Sequence, residues 1–323
     1  MLSSFEGPYF DELAVGDVFD QAPALTLTDG RASVHQSILG SRLRLSLDHA
    51  LSHRVAGRPL ADPGFVWDVA IGQSTLVTRR VIANLFYRGL QFHRLPSIGS
   101  TLTTRTEVIG LKQNRSGPTG LAALRITTRD EEDRLVLDFL RCAMLPLKDP
   151  AAQTGHTDDL SQLGSGIVSA GAAPMIEGWN IAAFPEPAAS YEAGQSWELE
   201  AGDVISSAPE LARLSLNLAH VHHDRFRQPS GRLVYGGHTI GIALAQLTRT
   251  LPDLVTISGW AGCDHLGPVR EGDTVRSTIT LEKVAALDGG WRALDLRVQV
   301  AARSAAETEA IPVLDWKLTA LSR

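Results

Sequence analysis

One stretch of the chain is apolar on nearly every helical face. Ile240, Ala243, Leu244 and Leu247 recur at helical spacing, and Ile242 and Ala245 fill the remaining side. A helix with that pattern is buried all round. It begins at Tyr235-Gly-Gly-His238, and a second glycine-initiated apolar segment begins earlier, at Asp62-Pro-Gly-Phe-Val-Trp67. Each is followed by long runs rich in Val, Thr, Leu and Arg that read as strands. They cover Ser100–Gly110, Gly120–Thr128 and Leu135–Pro146, then Asp273–Val284, Trp291–Ala301 and Ile311–Leu321. A buried helix followed by an antiparallel meander predicts a sheet wrapped around that helix, an α+β arrangement.

The order of these elements repeats. Gly64 and Gly237, which open the two helices, lie 173 positions apart. The turn-and-strand segments starting at Gly99 and Gly272 show the same offset of 173, and the lead-ins at Gly16 and Gly194 an offset of 178. Three landmarks in one order at a nearly constant spacing indicate tandem duplication. The expected division is a first copy over 1–147, a linker over 148–187 and a second copy over 188–323. The linker is rich in Pro, Ala, Gly and Ser, and is expected to cross the surface rather than pack in a core.

With 44% apolar and 20% charged residues the chain is globular, and a net charge of −6 without a basic block argues against nucleic-acid binding. No run is long enough for a membrane span and the first residues do not resemble a signal peptide, so a cytoplasmic protein is expected. Cys142 and Cys263 have no disulfide or metal-ligand spacing, and no Gly-x-Gly-x-x-Gly follows a strand. Neither a metal nor a redox cofactor is therefore expected.

Half of the ten histidines (His220, His222, His223, His238 and His265) fall within 220–265. Four readings compete: a metal site, satisfied core or surface histidines, a Ser–His–Asp hydrolase, and general acid–base catalysis. Adjacent residues point to different sides of an element, which disfavours a metal, and no Gly-x-Ser-x-Gly elbow supports a hydrolase. Acid–base catalysis needs a histidine beside an anion-stabilising group. A helix opening at Gly236-Gly237 offers one, because its first N–H groups are free and glycine lets a ligand atom approach closely. Such a corner suits a thioester oxygen that gains charge as an enolate forms.

These residues resemble a known family. Asn217-Leu-Ala-His-Val-His-His-Asp224, followed by Arg232-Leu-Val-Tyr-Gly-Gly-His-Thr239, is similar to the signature of MaoC-like (R)-specific enoyl-CoA hydratases. That family's motif places a His five residues after an Asp, with an intervening Asn and Pro. His222 matches the His, Asn217 occupies the Asp slot, and Ala219 and His220 replace the Asn and Pro. Tyr9–Gly16, Val81–Tyr87 and Glu107–Lys112 extend the resemblance toward the double-hot-dog mesaconyl-CoA (2-methylfumaryl-CoA) hydratases.

The resemblance implies two hot-dog units, reversible hydration of a 2-enoyl-CoA, and coenzyme A thioester as substrate with no further cofactor. It implies His222 as general base and Asn217 as the group that holds the water, since an amide cannot take its proton. Gly236 or Gly237 would bind the thioester oxygen, with Tyr235 and His238 flanking it. In the first copy Ser41 and Ser46 stand at the matching positions, so that copy is expected to be scaffold. Arg213, Arg225, Arg227 and Arg232 are candidates for a second carboxylate on the substrate. A homo-oligomer of such pseudo-dimers is expected. The alternatives are a hot-dog acyl-CoA thioesterase and a non-catalytic acyl-CoA-binding subunit.

Overall fold

A computed structural model describes residues 6–164, 171–227, 231–305 and 308–323. The first half runs β1 (Val18–Phe19), β2 (Leu25–Thr26), α1 (Asp29–Leu39), α2 (Arg44–Leu47), α3 (His49–Ala56), α4 (Pro63–Gln73), β3 (Ala83–Phe92), β4 (Thr101–Gln113), β5 (Thr119–Arg129) and β6 (Leu135–Pro146). A short helix α5 (Ala173–Ile176) lies in the connection. The second half runs β7 (Ser196–Glu198), β8 (Asp203–Val204), α6 (Ala208–Leu214), α7 (Gly236–Thr250), β9 (Leu254–His265), β10 (Thr274–Ala286), β11 (Arg292–Arg303) and β12 (Ile311–Ser322). Short lead-in strands, a polar helical segment, a central helix and a four-stranded meander recur in both halves. The six strands expected from the sequence are all present, with ends shifted by no more than three residues.

Ten of these strands run through one antiparallel sheet in the order β1-β4-β5-β6-β3-β9-β12-β11-β10-β7, with β2 paired to β4 and β8 to β10 off that path. The seam between the halves is β3 against β9, in the register Tyr87↔Cys263 and Leu90↔Trp260. Glycine is required there at Gly259, where a Cβ would sit 2.4 Å from the carbonyl oxygen of Leu90. Arg88 Nη2 reaches Asp264 Oδ1 at 2.6 Å across the same seam.

The two central helices lie inside the curve of this sheet. Every residue of α4 is buried, and in α7 burial runs unbroken from Gly237 to Thr248. Trp67 on α4 meets Trp260 and Trp316 of the second half edge-on, at ring separations of 4.8 and 6.1 Å. The helices are therefore packed into a common core rather than two separate ones.

The connection departs from expectation. It does not merely cross the surface: Met175, Trp179, Ile181 and Phe184 are buried in the core. These apolar side chains, spaced among prolines and glycines, cover surface that would otherwise face water. Positions 165–170 of the expected linker lie outside the described residues.

Candidate active site

A cavity of about 450 Å³ opens where the halves meet. The loop before α7, the first turn of α7 and the end of β9 form one wall; the end of α4, the start of β3 and one residue of β6 form the other. Its lining is largely apolar with a few polar groups, the composition of a small-molecule site.

The segment carrying Asn217 is held by the first half. Leu216 adopts a left-handed φ of 62°, an uncommon conformation for a non-glycine residue. Gly72 on α4 makes room for the turn, since a Cβ there would lie 1.7 Å from the carbonyl oxygen of Ser215. The backbone N–H of Leu218 donates to Thr75 Oγ1 at 2.9 Å, and that of His220 to the Arg79 carbonyl at 3.0 Å. Asn217 lines the cavity and is buried, and its Oδ1 accepts the N–H of Ala219 at 2.9 Å. That bond fixes the amide orientation, leaving the two Nδ2 hydrogens to donate.

His222 also lines the cavity, with only 9% of its surface exposed. Its Nδ1 lies 3.0 Å from the Leu233 carbonyl oxygen. A carbonyl only accepts, so Nδ1 carries the proton and Nε2 keeps its lone pair. Burial pushes the imidazole down to about 4, and the nearby positive charge of Arg141 acts in the same direction. The ring is neutral at pH 7. Its neighbour His223 does not line the cavity; it lies 2.7 Å from the Asn217 carbonyl oxygen and braces the loop. His220 faces Glu6 at 3.0 Å.

Tyr235 is the N-cap of α7, and no side chain caps that helix. The first N–H groups, those of Gly236 and Gly237, are thus left to other partners. Gly236 and Thr239 line the cavity; Gly237 and His238 do not. Helical geometry accounts for this, because positions three apart share a face while the two between turn away. The expectation that His238 flanks the oxyanion corner is corrected accordingly. It is fully buried, neither ring nitrogen has a hydrogen-bond partner among the described residues, and burial pushes it down to about 4. Gly237 packs elsewhere: a Cβ there would lie 2.4 Å from Asp68 Oδ1 and from the Tyr235 ring.

Tyr235 links the two central helices. Its hydroxyl donates to Asp68 Oδ1 of α4 at 3.1 Å, and His35 Nε2 lies 2.9 Å from Asp68 Oδ2. All three residues are buried. Desolvation raises the Asp68 carboxyl and the Tyr235 phenol above their ordinary values. The Tyr235 ring also meets that of His222 edge-on at 5.8 Å.

In the first half the equivalent corner is filled. Asp62, 173 positions before Tyr235, caps α4 by accepting the Gly64 N–H at 2.7 Å, and its other oxygen takes the Ser41 hydroxyl at 2.7 Å. Ser46 lies on α2 and does not line the cavity.

The arginines proposed from sequence do not reach the site. Arg213 pairs with Glu210 at 3.4 Å, Arg227 with Asp224 at 3.6 Å, Arg232 with Glu271, and Arg225 stacks over Phe226 at 5.7 Å. None lines the cavity, whereas Arg141 and Arg270 do. Asn84, Tyr87 and His265 join them in the lining. The sequence signal for Arg141 was a basic residue inside the apolar strand Leu135–Pro146, whose one other charge is Asp138. Among the described residues no group of three or more His, Cys, Asp or Glu side chains is arranged to hold a metal ion.

Comparison with known proteins sets this geometry in context. No protein-family profile matches the chain. The solved structure of RV0216 from Mycobacterium tuberculosis is 50% identical, superposes with a TM-score of 0.90, and covers 99% of this chain and 100% of that one. It is described as a conserved hypothetical protein essential for bacterial survival during infection, with a double hotdog fold. This chain belongs to that double hotdog family. Two characterised relatives match at lower identity. The beta-methylmalyl-CoA dehydratase of Chloroflexus aurantiacus is 28% identical over 92% of this chain and 88% of its own length. The mesaconyl-CoA hydratase of Cereibacter sphaeroides is 27% identical over 90% and 88%. The resemblance of this double hotdog chain to that group, first seen in the motifs around His222, thus extends across both halves.

Proposed function

We propose that the protein catalyses reversible hydration of a 2-enoyl-CoA to a 3-hydroxyacyl-CoA. The observation that carries this reading is His222: a buried, neutral imidazole with Nδ1 tied to Leu233, so that Nε2 keeps its lone pair, beside a start of α7 that no side chain among the described residues caps. The hydratase and dehydratase relatives support it, and mesaconyl-CoA or a similar thioester fits their chemistry. Coenzyme A thioester is the substrate, and the scheme calls on no further cofactor.

Asn217 Nδ2 donates to a water and holds it over C3 of the acyl group. His222 Nε2 accepts one of its protons as the oxygen bonds to C3. The C2=C3 electron pair shifts onto C2 and the thioester oxygen, where the Gly236 N–H and the positive end of α7 stabilise the enolate. His222 then returns the proton to C2, so that water has been added with both atoms delivered from one side. The division of labour follows: the second half carries the acid–base group, and the first half shapes the cavity and braces the loop that holds Asn217.

The test is direct. Purified protein mixed with short 2-enoyl-CoAs should remove the enoyl-thioester absorbance without releasing free thiol. Thiol release without hydration would mean a thioesterase, and tight binding with neither reaction would mean a non-catalytic subunit.

A further inference from the structure

Arg141 projects from β6 into the cavity with 3% of its surface exposed. Nη1 donates to Ser74 Oγ at 2.8 Å and Nη2 to Thr78 Oγ1 at 3.0 Å. Nε is buried and has no hydrogen-bond partner among the described residues. Among the described residues no carboxylate pairs with this guanidinium. The hydrogen bonds that its Nη atoms make among those residues are to two hydroxyls near the end of α4, where the helix presents partial negative charge. Guanidinium groups remain charged in proteins, and one buried without an anion is strongly unfavourable. The fold tolerates it at the wall of a cavity, where an incoming anion completes the pair.

A second polar group stands beside it. Asn84 on β3 lines the same cavity, and both its amide oxygen and its amide nitrogen are buried without a partner among the described residues. Asn84 is paired across the sheet with Ala143, two positions along β6 from Arg141, so the two side chains emerge from neighbouring positions. A planar guanidinium edge next to an amide N–H is an arrangement that grips a carboxylate. Among the described residues no carboxylate serves this role, and a neutral acyl chain would leave both groups unsatisfied.

We infer that Arg141 and Asn84 form the subsite that binds the distal carboxylate of a mesaconyl-type acyl group. This rests on the proposed acyl-CoA function and assigns its specificity to two residues of the first half. That half is then a contributor to substrate choice and not scaffold alone. A monocarboxylic acyl group would be selected against by the buried polar atoms that it leaves unpaired.

The test uses two saturated thioesters with four-carbon acyl groups, succinyl-CoA and butyryl-CoA, which differ in carboxylate against methyl. Neither has a 2,3-double bond, so calorimetric binding to the full chain is read without turnover. The wild type should bind succinyl-CoA at least about tenfold more tightly, the scale expected for a buried charge-assisted contact. Arg141→Met should abolish that preference while leaving butyryl-CoA affinity within about threefold; Asn84→Ala should narrow it. Equal affinities in the wild type would overturn the inference, as would equal weakening of both ligands by Arg141→Met. Should Arg141→Met fail to fold, the wild-type pair and Asn84→Ala still decide. A retained succinyl-CoA preference without hydration of any 2-enoyl-CoA would count against the hydratase reading and leave the subsite standing.

Discussion

Gly236→Ala probes the oxyanion corner with a single added carbon. A Cβ at this position lies 2.6 Å from Cε1 and 2.8 Å from Nε2 of His265. Carbon contacts settle near 3.5–4.0 Å, so ring and helix must separate by about 1 Å. The ring also stacks edge-on against Tyr87 at 5.7 Å, so its displacement disturbs that contact too. The backbone itself is no obstacle: Gly236 is not among the glycines with positive φ, and alanine favours a helix by about 1 kcal/mol. The perturbation is therefore steric. Overpacking of this size costs about 1–3 kcal/mol of stability, and displacing a reacting contact by ~1 Å costs about 10²-fold in rate. Steady-state hydration kinetics should show kcat reduced by roughly that factor, with a smaller change in KM, alongside a lowered Tm. His265→Ala in the same chain removes the obstructing ring. Of the four forms in that double-mutant cycle, the double variant should recover most of the lost Tm and part of kcat relative to Gly236→Ala, a coupling of about 1 kcal/mol or more. Wild-type kcat in Gly236→Ala would refute the assignment of the thioester oxygen to this N–H.

Three further expectations concern the acid–base group, the buried histidines and the bridge between the helices. His222→Ala should lower kcat by about 10²–10⁴, Asn217→Ala by less, and Ser46→Ala by no more than a few fold; equal losses from Ser46→Ala and His222→Ala would defeat the asymmetric assignment. His222, His238 and His265 are each pushed down to about 4 from 6.5 by burial, so the unfolded chain takes up their protons first as pH falls. Stability should therefore be lost from pH 6.5 down to about 4, by about 1.4 kcal/mol per pH unit for each histidine, and level off below. Denaturant titrations at pH 7 and 5 should show a weaker dependence for His238→Leu than for the wild type, and identical slopes would contradict it. Tyr235→Phe removes the hydroxyl bound to Asp68 and should cost about 1–2 kcal/mol while keeping the aromatic wall of the cavity; an unchanged denaturation midpoint would show that the bond carries no stability.

The parts of the fold that were legible are those whose pattern belongs to one element. The meander strands alternate because one face meets the helices and the other is partly solvated, and α7 reads as buried because it is apolar all round. The seam strands did not announce themselves in the same way. The first seven residues of β9 are all buried, and three glycines interrupt the apolar run near the seam, Gly89, Gly259 and Gly262. A strand buried on both faces loses the period-two signal. The site divided along a similar line. His222, Asn217, Tyr235 and Gly236 lie within 217–236 and come together in the cavity, so a local motif could gather them. Arg141, Asn84, Asp68 and Thr75 meet the site only through folding, from positions about 70 to 170 residues away in sequence. Nothing local distinguishes Asp68 from any other polar residue inside an apolar helix.

The contrast between the two helix N-termini explains how one duplicated frame yields one cavity. Both central helices start with a small-residue turn, and both would present free N–H groups to a ligand. At α4 the residue before the helix is Asp62, whose carboxylate takes the Gly64 N–H and the Ser41 hydroxyl at once. An acidic cap satisfies the donor and places negative charge where an enolate oxygen would have to sit, so that corner is chemically closed to an anion. At α7 the same position is Tyr235, whose hydroxyl points away to Asp68 and leaves the helix start uncapped. The carboxylate that receives it belongs to the first half, as do Gly72 and Thr75, which seat the Asn217 loop. An isolated second half would lack the partner that orients Tyr235, the floor under Asn217 and the guanidinium of Arg141. The duplication therefore did not leave one working unit beside an idle one. In the proposed reaction the first half, its own anion corner closed by Asp62, supports the corner of its neighbour, and catalysis in the second half would depend on the covalent presence of the first.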